Sequence, residues 1–409
     1  MATQTQKKAM FFVFDGGLGI GHLRRIARLA KRLQGRFACL IVTGHRAAAD
    51  WFVPAECEYI RLPSWDGLLE SKARYWGRKP FILLDEAEAV RLRKDILRPL
   101  VEAFRPDVIF VDHLPLGSRN ELEDIIRNAP CLKYLVTRGI LNETGGLPGV
   151  AGIDRQLVLS GKAYEYLRLY YHRLLVASDS KVFDFSTRYN IVPDIRQKTI
   201  QTGYIIDSVS QQLIKGVRKD RGLESGETWV VASVGGGQFG EKLIERCVGL
   251  ARVCPNIAFD IILGPRSRFP WKHRHRTVVI RGNLRLHKEV SNMPYLHASA
   301  DLVISSGGYN SILETLQGNA KILCFPTWKD QRDEQYHHAS CLKEFVDIQV
   351  STDLSELPVM FNRTISSIRN DSVHDRRKEL DFDGATAIKR IVLKDLGLRT
   401  RQQCTDGNE

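Results

Sequence analysis

The chain has 409 residues and a formal net charge of +13, with 43% hydrophobic and 26% charged residues. That length exceeds one ordinary core and suits two α/β domains, and the composition is that of a globular protein, which excludes a disordered chain. No apolar run approaches the ~18 residues a membrane-spanning helix needs. The apolar run Ala9–Phe14 stops at Asp15, too short and too early for a signal peptide.

The eight cysteines show no C-x-x-C spacing, and most sit in apolar contexts. Buried free thiols in a reducing cytoplasm fit them better than disulfides or zinc. The positive charge would serve a nucleic acid, an anionic membrane surface or an acidic small molecule. It is spread along the chain except at Arg266–Arg276 (RSRFPWKHRHR), where Phe269 and Trp271 interleave the basic residues. No nucleic-acid-binding motif accompanies that run, which reads as a solvated loop.

Short apolar runs alternate with longer amphipathic stretches, the pattern of parallel sheets flanked by helices. Strands are predicted at Ala9–Phe14, Phe37–Thr43, Pro106–Asp112 and Cys131–Thr137, with a helix from His22 to about Leu33. The series restarts at Trp229–Val234, a helix at Gly240–Val253, and strands at Ala258–Leu263, Thr277–Arg281, Asp301–Ser305 and Lys321–Phe325. A boundary is placed between Tyr204 and Glu227, where Lys215–Arg221 is charged and strand signals lapse. A last amphipathic helix covers about Gly384–Leu396. The expected division is 1–205, 206–385, and a C-terminal helix and tail over 386–409 packing back toward the first domain.

Three loops and one carboxylate carry chemistry. Gly16-Gly17-Leu18-Gly19-Ile20-Gly21-His22 follows a strand and opens a helix, so its backbone can approach a ligand closely and a helix dipole faces it. A dinucleotide site would need an acid at the tip of the second strand, and Thr43-Gly44-His45 offers none. The second junction, Ser233-Val234-Gly235-Gly236-Gly237-Gln238-Phe239-Gly240, lacks the Lys and Ser/Thr of a P-loop but could hold a diphosphate through backbone N–H groups. In Ala300–Ala339 a strand ends at Ser305-Ser306 and a Gly307-Gly308 turn follows. Asn310 and Ser311 start a helix that carries Glu314, and Gly318 closes it as a left-handed cap. A carboxylate one turn into such a helix can accept hydrogen bonds from both ribose hydroxyls. A polar loop with Glu334, Gln335 and His338 comes after the next strand.

Both halves resemble the GT-B glycosyltransferases, two Rossmann-like α/β domains facing a central cleft, and specifically the MurG-like, family 28-type group. The match is closest over S-G-x-x-x-S-x-x-E, then Gly, Pro and Q-Y-x-x-A. By that resemblance Glu314 grips the ribose of a UDP-sugar. Gly307, Gly308 and Asn310, with Gly236, Gly237 and Gln238, line the pyrophosphate, Gln335 reaches the sugar hydroxyls, and Gly21 and Ser311 are also placed at the donor. Glu334, also placed at the donor, stands with His338 where members often carry Gln or Asn. The GLGIGHLRR, PDVIFVDHLPLG and YLVTRGIL segments are similar to a less characterised bacterial branch of the group.

The expected activity is inverting transfer of N-acetylglucosamine or a related hexose from a UDP-sugar to an acceptor hydroxyl or amine. No cofactor and no metal are expected; His273-x-His275 and His337-His338 lack a third zinc ligand, and Asp381-Phe382-Asp383 reads as helix capping. His22 is the candidate general base, its ordinary pKa lying near working pH, and Asp112 is either the alternative base or the group that orients His22. The acceptor is expected to be a secondary metabolite or a lipid-linked glycan precursor. The expected location is the cytoplasm, with peripheral contact at the inner membrane face. Rival readings are a UDP-sugar 2-epimerase or hydrolase of the same fold, and a non-catalytic binder of nucleotide sugars or nucleic acid.

Overall fold

A computed structural model of the chain describes residues 6–15, 20–45, 52–68, 83–141, 158–235, 240–264, 267, 269, 271, 275–326, 333–368 and 375–398. These fall into two compact α/β units. The first takes the described parts of Met1–Gly139, Asp154–Ile205 and Asp381–Glu409; the second takes those of Ile140–Ile153 and Ile206–Leu380.

The first unit is built on seven strands: β1 (Lys7–Phe12), β2 (Phe37–Thr43), β3 (Glu58–Arg61), β4 (Val108–Asp112), β5 (Leu132–Thr137), β6 (Arg173–Val176) and β7 (Thr199–Gln201). They lie in the order β3-β2-β1-β4-β5-β6-β7, every pair parallel. Unbroken apolar runs such as AMFF and VIFV form the central strands because both faces of a parallel sheet are covered. The Gly21–Leu33 helix lays Leu23, Ile26, Leu29, Ala30 and Leu33 on one of those faces. The Glu86–Phe104 helix starts on a capping box: Glu88 N–H donates to the Asp85 carboxylate at 2.8 Å, and Asp85 N–H donates to the Glu88 carboxylate at 3.1 Å. Phe11 stacks on Phe110 with centroids 4.9 Å apart, and both are fully buried. Truncating either to Ala would cost roughly 3–5 kcal/mol.

The chain leaves this unit after Ile205 and re-enters it at Asp381. Tyr204 N–H donates to Asp381 O at 2.7 Å, and Gly384 N–H donates to Tyr204 O at 3.0 Å. Any side chain at Gly384 would meet Gly203 O, so glycine permits this approach. The returning helix, Gly384–Asp395, buries Ala385, Ile388, Val392 and Leu393 in the same core as the Gly21–Leu33 helix. Asp395 fixes its far end through Arg173 (2.9 Å) and the Tyr134 hydroxyl (3.1 Å). Asp383 sits at the helix start, but its side chain caps nothing there; it pairs with Arg32 at 3.2 Å, and the Asp381 carboxylate accepts the Asp383 N–H at 2.8 Å. The helix therefore has no side-chain cap, against the capping expected of this segment, and the Asp381 carboxylate closes the turn before it instead.

The second unit repeats the plan with β8 (Trp229–Ser233), β9 (Ala258–Ile262), β10 (Thr277–Arg281), β11 (Leu284–His287), β12 (Leu302–Ser305), β13 (Lys321–Cys324) and β14 (Ile348–Val350). Their order is β10-β11-β9-β8-β12-β13-β14, parallel except for β10, an edge strand antiparallel to β11. Leu243, Ile244, Cys247, Leu250 and Ala251 of the Glu241–Val253 helix fill the core on one side, with Leu357 and Phe361 of the Leu357–Ser367 helix.

One expectation needs correction here. The charged Lys215–Arg221 stretch, where strand signals lapse, ends the Gln211–Arg221 helix, where Arg218 bonds Ser299 O and Asp301, and Arg221 bonds the buried Asp260 carboxylate. Gly318 is not a left-handed cap, since the Tyr309–Thr315 helix ends at Leu316 in right-handed geometry and Gly318 is absent from the positive-φ residues. Glycine is needed there because a Cβ would stand 1.8 Å from Ala298 O. That close approach sets the Met293–Ser299 helix against the Tyr309–Thr315 helix.

Candidate active site

In each sheet the strand order reverses once, between β1 and β4 in the first and between β8 and β12 in the second. Loops leaving two such neighbours diverge to opposite faces, and the crevice at their carboxyl ends is where open α/β sheets bind ligands. The first crevice gathers His22, which opens the helix after β1, and Asp112, the last residue of β4.

His22 Nδ1 lies 2.8 Å from Asp112 Oδ2. Asp112 is 1% exposed, so its charge has to be met inside the protein. Arg25, one turn further along the same helix and 2% exposed, donates to Asp112 Oδ1, and the Phe14 N–H donates to Oδ2 at 3.2 Å. Burial alone would raise the Asp112 pKa, but Arg25 and His22 outweigh it and hold the carboxyl well below the usual carboxylate range. An anion can only accept, so the proton between the two residues belongs to His22 Nδ1, and the lone pair of the neutral ring is on Nε2. Burial lowers the His22 pKa to about 3, with Asp112 offsetting part of that effect. His22 is therefore an unprotonated base at neutral pH. Asp112, with both oxygens committed, orients it, and of the two roles open to Asp112 in the sequence the geometry fits this one.

Aromatic rings frame the dyad. Phe14 lies edge-on to His22 at 4.9 Å and to His113 at 5.2 Å, and the two imidazoles are 5.0 Å apart. His113 is held at φ +67, a conformation that non-glycine residues rarely adopt. Its N–H donates to Val136 O at 2.9 Å, which fixes the turn after β4. The Thr137 hydroxyl at the tip of β5 is buried, with no hydrogen-bond partner among the described residues.

Behind the dyad, Asp15 gathers donors from four directions: Gly44 N–H (2.7 Å), Arg93 (2.9 Å), Trp65 Nε1 (3.1 Å) and the Ser118 hydroxyl (3.2 Å). Arg93 also reaches Glu121 at 3.3 Å, whose pKa burial raises despite that cation. A cavity of about 20 Å³ between Asp112 and this cluster has room for one water. The Gly44 amide, at the second strand's tip where a dinucleotide's ribose would lie, is thus taken by the protein's own carboxylate.

In the second unit the crevice holds the residues expected at the donor. Gly307, at φ +82, follows β12; a Cβ there would meet Cys324 Sγ at 2.8 Å and Gln335 Cβ at 3.4 Å. The Gly307 N–H donates to the Ser305 hydroxyl at 3.1 Å. Gly308 begins the Tyr309–Thr315 helix with no side-chain cap, and Asn310 and Ser311 lie in its first turn. Gln335, in the Glu334–Cys341 helix, has a buried Oε1 with no hydrogen-bond partner among the described residues. Glu334 is 8% exposed, and the His338 ring lies 5.1 Å from Tyr309.

Glu314 is not at the surface. Its residue is 0% exposed, and Oε2 lies 3.2 Å from His297 Nδ1. A ribose contact therefore has to uncover one carboxylate oxygen. Gly236, Gly237 and Gln238 lie outside the described residues; Gly21, the first residue of its helix, lies inside them. Sequence reasoning passed over Arg25, Asp15, Arg93 and His297. Nothing in their spacing marks them, because each is placed by residues 17 to 90 or more positions away. Cys39, Cys247 and Cys324 are buried free thiols, and burial pushes the latter two up to about 12; Cys57, Cys131, Cys254 and Cys341 are free but half-buried. Among the described residues no group of three or more His, Cys, Asp and Glu could hold a metal ion, and no helix is long and apolar enough to cross a membrane.

Residues 256–368 match the model of the glycosyltransferase family 28 C-terminal domain. An uncharacterized glycosyltransferase of Methanosarcina mazei is 23% identical over 400 residues, covering 94% of this chain and 98% of the relative. The UDP-N-acetylglucosamine–N-acetylmuramyl-(pentapeptide) pyrophosphoryl-undecaprenol N-acetylglucosamine transferase of a Sulfurihydrogenibium species is 29% identical over 181 residues, 42% of this chain and 49% of that one. Phytolacca americana UGT2, solved with UDP-2-fluoro-glucose and pterostilbene, superposes with TM-score 0.62 at 16% identity, covering 95% and 99% of the two chains. The UDP-GlcNAc 2-epimerase of Neisseria meningitidis superposes with TM-score 0.56 at 13% identity, covering 96% and 99%. Both structural likenesses speak for the GT-B fold, and the family match falls on the unit built around Glu314. The chain thus has the GT-B fold, and within its second unit residues 256–368 match the family 28 glycosyltransferase C-terminal domain.

Proposed function

We propose that the chain moves a hexose, N-acetylglucosamine or a close relative, from a UDP-sugar to an acceptor hydroxyl or amine with inversion and without a metal. The observation that carries the transferase step is the His22–Asp112 pair, an imidazole presenting a lone pair on Nε2 at the crevice of the first sheet. His22 Nε2 takes the proton of the acceptor O–H or N–H as that atom bonds to the anomeric carbon. The bond from that carbon to the diphosphate breaks, and its electron pair leaves on the diphosphate oxygen. Backbone N–H groups around Gly307 and Gly308 meet the developing charge, and no step calls for a metal. Gln335 Oε1, a buried acceptor, suits a sugar hydroxyl. UDP is favoured because Glu314 is a ribose-binding group in this reading, and because the named relative and the UGT2 complex use uridine diphosphate sugars.

The acceptor is proposed to be either a small metabolite or a lipid-linked glycan precursor, the latter met by peripheral contact of this basic chain with an anionic membrane face. A thermal-shift screen of UDP-, dTDP- and GDP-sugars tests the donor: stabilisation by UDP-sugars alone, lost in Glu314→Ala, supports it, and equal stabilisation of that variant overturns it. The likeness to an epimerase keeps a second reading in view. Rapid epimerisation or hydrolysis of UDP-GlcNAc without acceptor would replace transfer by that chemistry.

A further inference from the structure

The proposed dyad shares the first crevice with Arg25, to which the chemistry above gives no step. Arg25 stands one turn after His22 on the Gly21–Leu33 helix, so the two side chains leave it on one face. Its neighbour Arg24 lies over the Phe52 ring at 5.3 Å. Arg25 Nη2 donates to Asp112 Oδ1 and lies 3.2 Å from His22 Nδ1. Because Nδ1 gives its own proton to Asp112 Oδ2, the second contact brings two donors together and is not a hydrogen bond. Arg25 is 2% exposed, and its Nε is buried with no hydrogen-bond partner among the described residues. A buried donor left unpaired is costly, so the guanidinium is held in this pose at some expense of stability.

We infer that Arg25 is a positioning residue for the reaction: it locks the Asp112 carboxylate and sets a cation against His22, so that the ring passes the acceptor proton on and does not keep it. The inference rests on the reading of His22 as the base. Without Arg25, the buried carboxylate beside the ring would stabilise the imidazolium as an ion pair and hold the proton there. With it, the carboxylate charge is already met, and an imidazolium would add a second cation 3.2 Å from the first. The proton taken from the acceptor on Nε2 therefore leaves from Nε2 to water, which the side chain meets at 13% exposure, and the lone pair returns. The groups acting on the ring come from three places: Asp112 at the end of β4, His113 in the turn after it, and Arg25 on the ring's own helix. Burial lowers the ring's pKa most; Asp112 opposes that, and Arg25 and His113 act in the same direction as burial.

The test reads the ring directly, by nitrogen NMR of the full chain with labelled histidine, His22 being assigned from His22→Gln and folding verified by melting curves. The wild-type ring is expected to carry its proton on Nδ1 and to stay neutral down to about pH 5. Arg25→Gln removes the charge and keeps an amide donor. It should raise the titration midpoint by about two to three pH units, the effect of one charge about 4 Å away at the dielectric usual for such pairs. Arg25→Lys keeps the charge and should leave the ring neutral over the same range. A wild-type ring that titrates near pH 6.5 overturns the inference, whether or not the variants fold. So does a folded Arg25→Gln protein whose ring stays neutral down to about pH 5, the result for an arginine that merely ties the helix to β4; the base reading then stands. Titration of the Lys variant alongside the Gln variant overturns it too, since charge would not be the cause. Release of UDP from UDP-GlcNAc, with water as acceptor, is followed over the same pH range. If the ring titration moves in Arg25→Gln and the acid limb of that rate moves with it, both readings are supported. If the ring moves and the rate profile does not, the base reading falls and the role of Arg25 with it.

Discussion

Replacing Asp112 by Asn tests the assignment of the base, because it preserves shape while removing the charge that fixes the His22 tautomer. Asp112 currently accepts from His22, Arg25 and the Phe14 amide, and offers no donor. An Asn has one carbonyl oxygen and one amide. Arg25 is 2% exposed and can only donate, so it takes the oxygen, and the Phe14 N–H that now donates to Oδ2 loses its acceptor. The amide then faces His22 Nδ1, the ring proton moves to Nε2, and the lone pair needed by the acceptor turns inward. Turnover should fall by about 10²–10⁴, the range for losing a positioned general base. Stability should fall by only about 1–3 kcal/mol, since the arginine keeps an acceptor; Asp112→Ala, which strands the cation, should cost about 3–5 kcal/mol. UDP release from UDP-GlcNAc, with a screened acceptor or with water, reports turnover. Calorimetry with UDP should show unchanged donor affinity, because Asp112 and the donor motif belong to different units. Wild-type turnover in a folded Asp112→Asn protein would refute the dyad.

Because burial takes the His22 pKa down to about 3, the acid limb of kcat/KM should lie well below pH 6.5, with activity level from pH 5 to 8; a midpoint near 6.5 would contradict the geometry. The same depression makes the unfolded chain bind more protons between about pH 3 and 6.5, so this residue's share of stability is lost as pH falls through that window, and His22→Gln should flatten that part of a melting-temperature profile. Gln335→Ala should raise the donor KM about tenfold while leaving the affinity for UDP alone within about twofold, a split readable from steady-state rates and UDP titration. Asp260→Ala should cost about 3–5 kcal/mol in urea unfolding, because it strands the buried Arg221 and also removes the acceptor of Trp229 Nε1 and His287. Gly318→Ala should lower the melting temperature and weaken UDP binding together, since its Cβ would push Ala298, and with it His297, away from Glu314.

Strands buried on both faces were legible in the sequence: Phe37–Thr43 was placed to the residue, and β1, β4, β5, β8, β9, β12 and β13 to within two at either end, while the exposed edge strand Thr277–Arg281 was also placed to the residue through its β-branched run. Their apolar runs need no partner to declare themselves. The strands missed, β3, β6, β7, β11 and β14, have three or four residues and are mostly outer members of their sheets, where a half-exposed run such as EYIR or TIQ carries no distinct periodicity. The Gln211–Arg221 helix was passed over because its charged end shows no apolar periodicity, and burial of Arg221, 8% exposed against Asp260, is set by a residue 39 positions away. At the sites, glycine turns and strand-end acids could be read because ligand crevices recur at strand ends. Arg25 could not: in sequence it is one of two arginines after Leu23, and only the helix register decides that Arg25, not Arg24, reaches Asp112.

The two crevices are prepared to different degrees, and that difference bears on how the enzyme works. His22 is already neutral, oriented and 13% exposed at its side chain, so in its proposed role as base it would need no rearrangement before an acceptor arrives. Glu314 is bonded to His297 and enclosed, so in the role proposed for it the donor would first have to uncover it. Part of the intrinsic nucleotide affinity is then spent uncovering the carboxylate, which weakens the measured affinity by the fraction of molecules in which it is already accessible. The same expenditure sharpens selection, since only a ligand able to replace the lost contacts recovers it. Donor first and acceptor second is the order this asymmetry favours. Initial-rate patterns should therefore show ordered addition, with UDP competitive against the donor and noncompetitive against the acceptor; a pattern in which acceptor binds free enzyme as well as it binds the donor complex would contradict it.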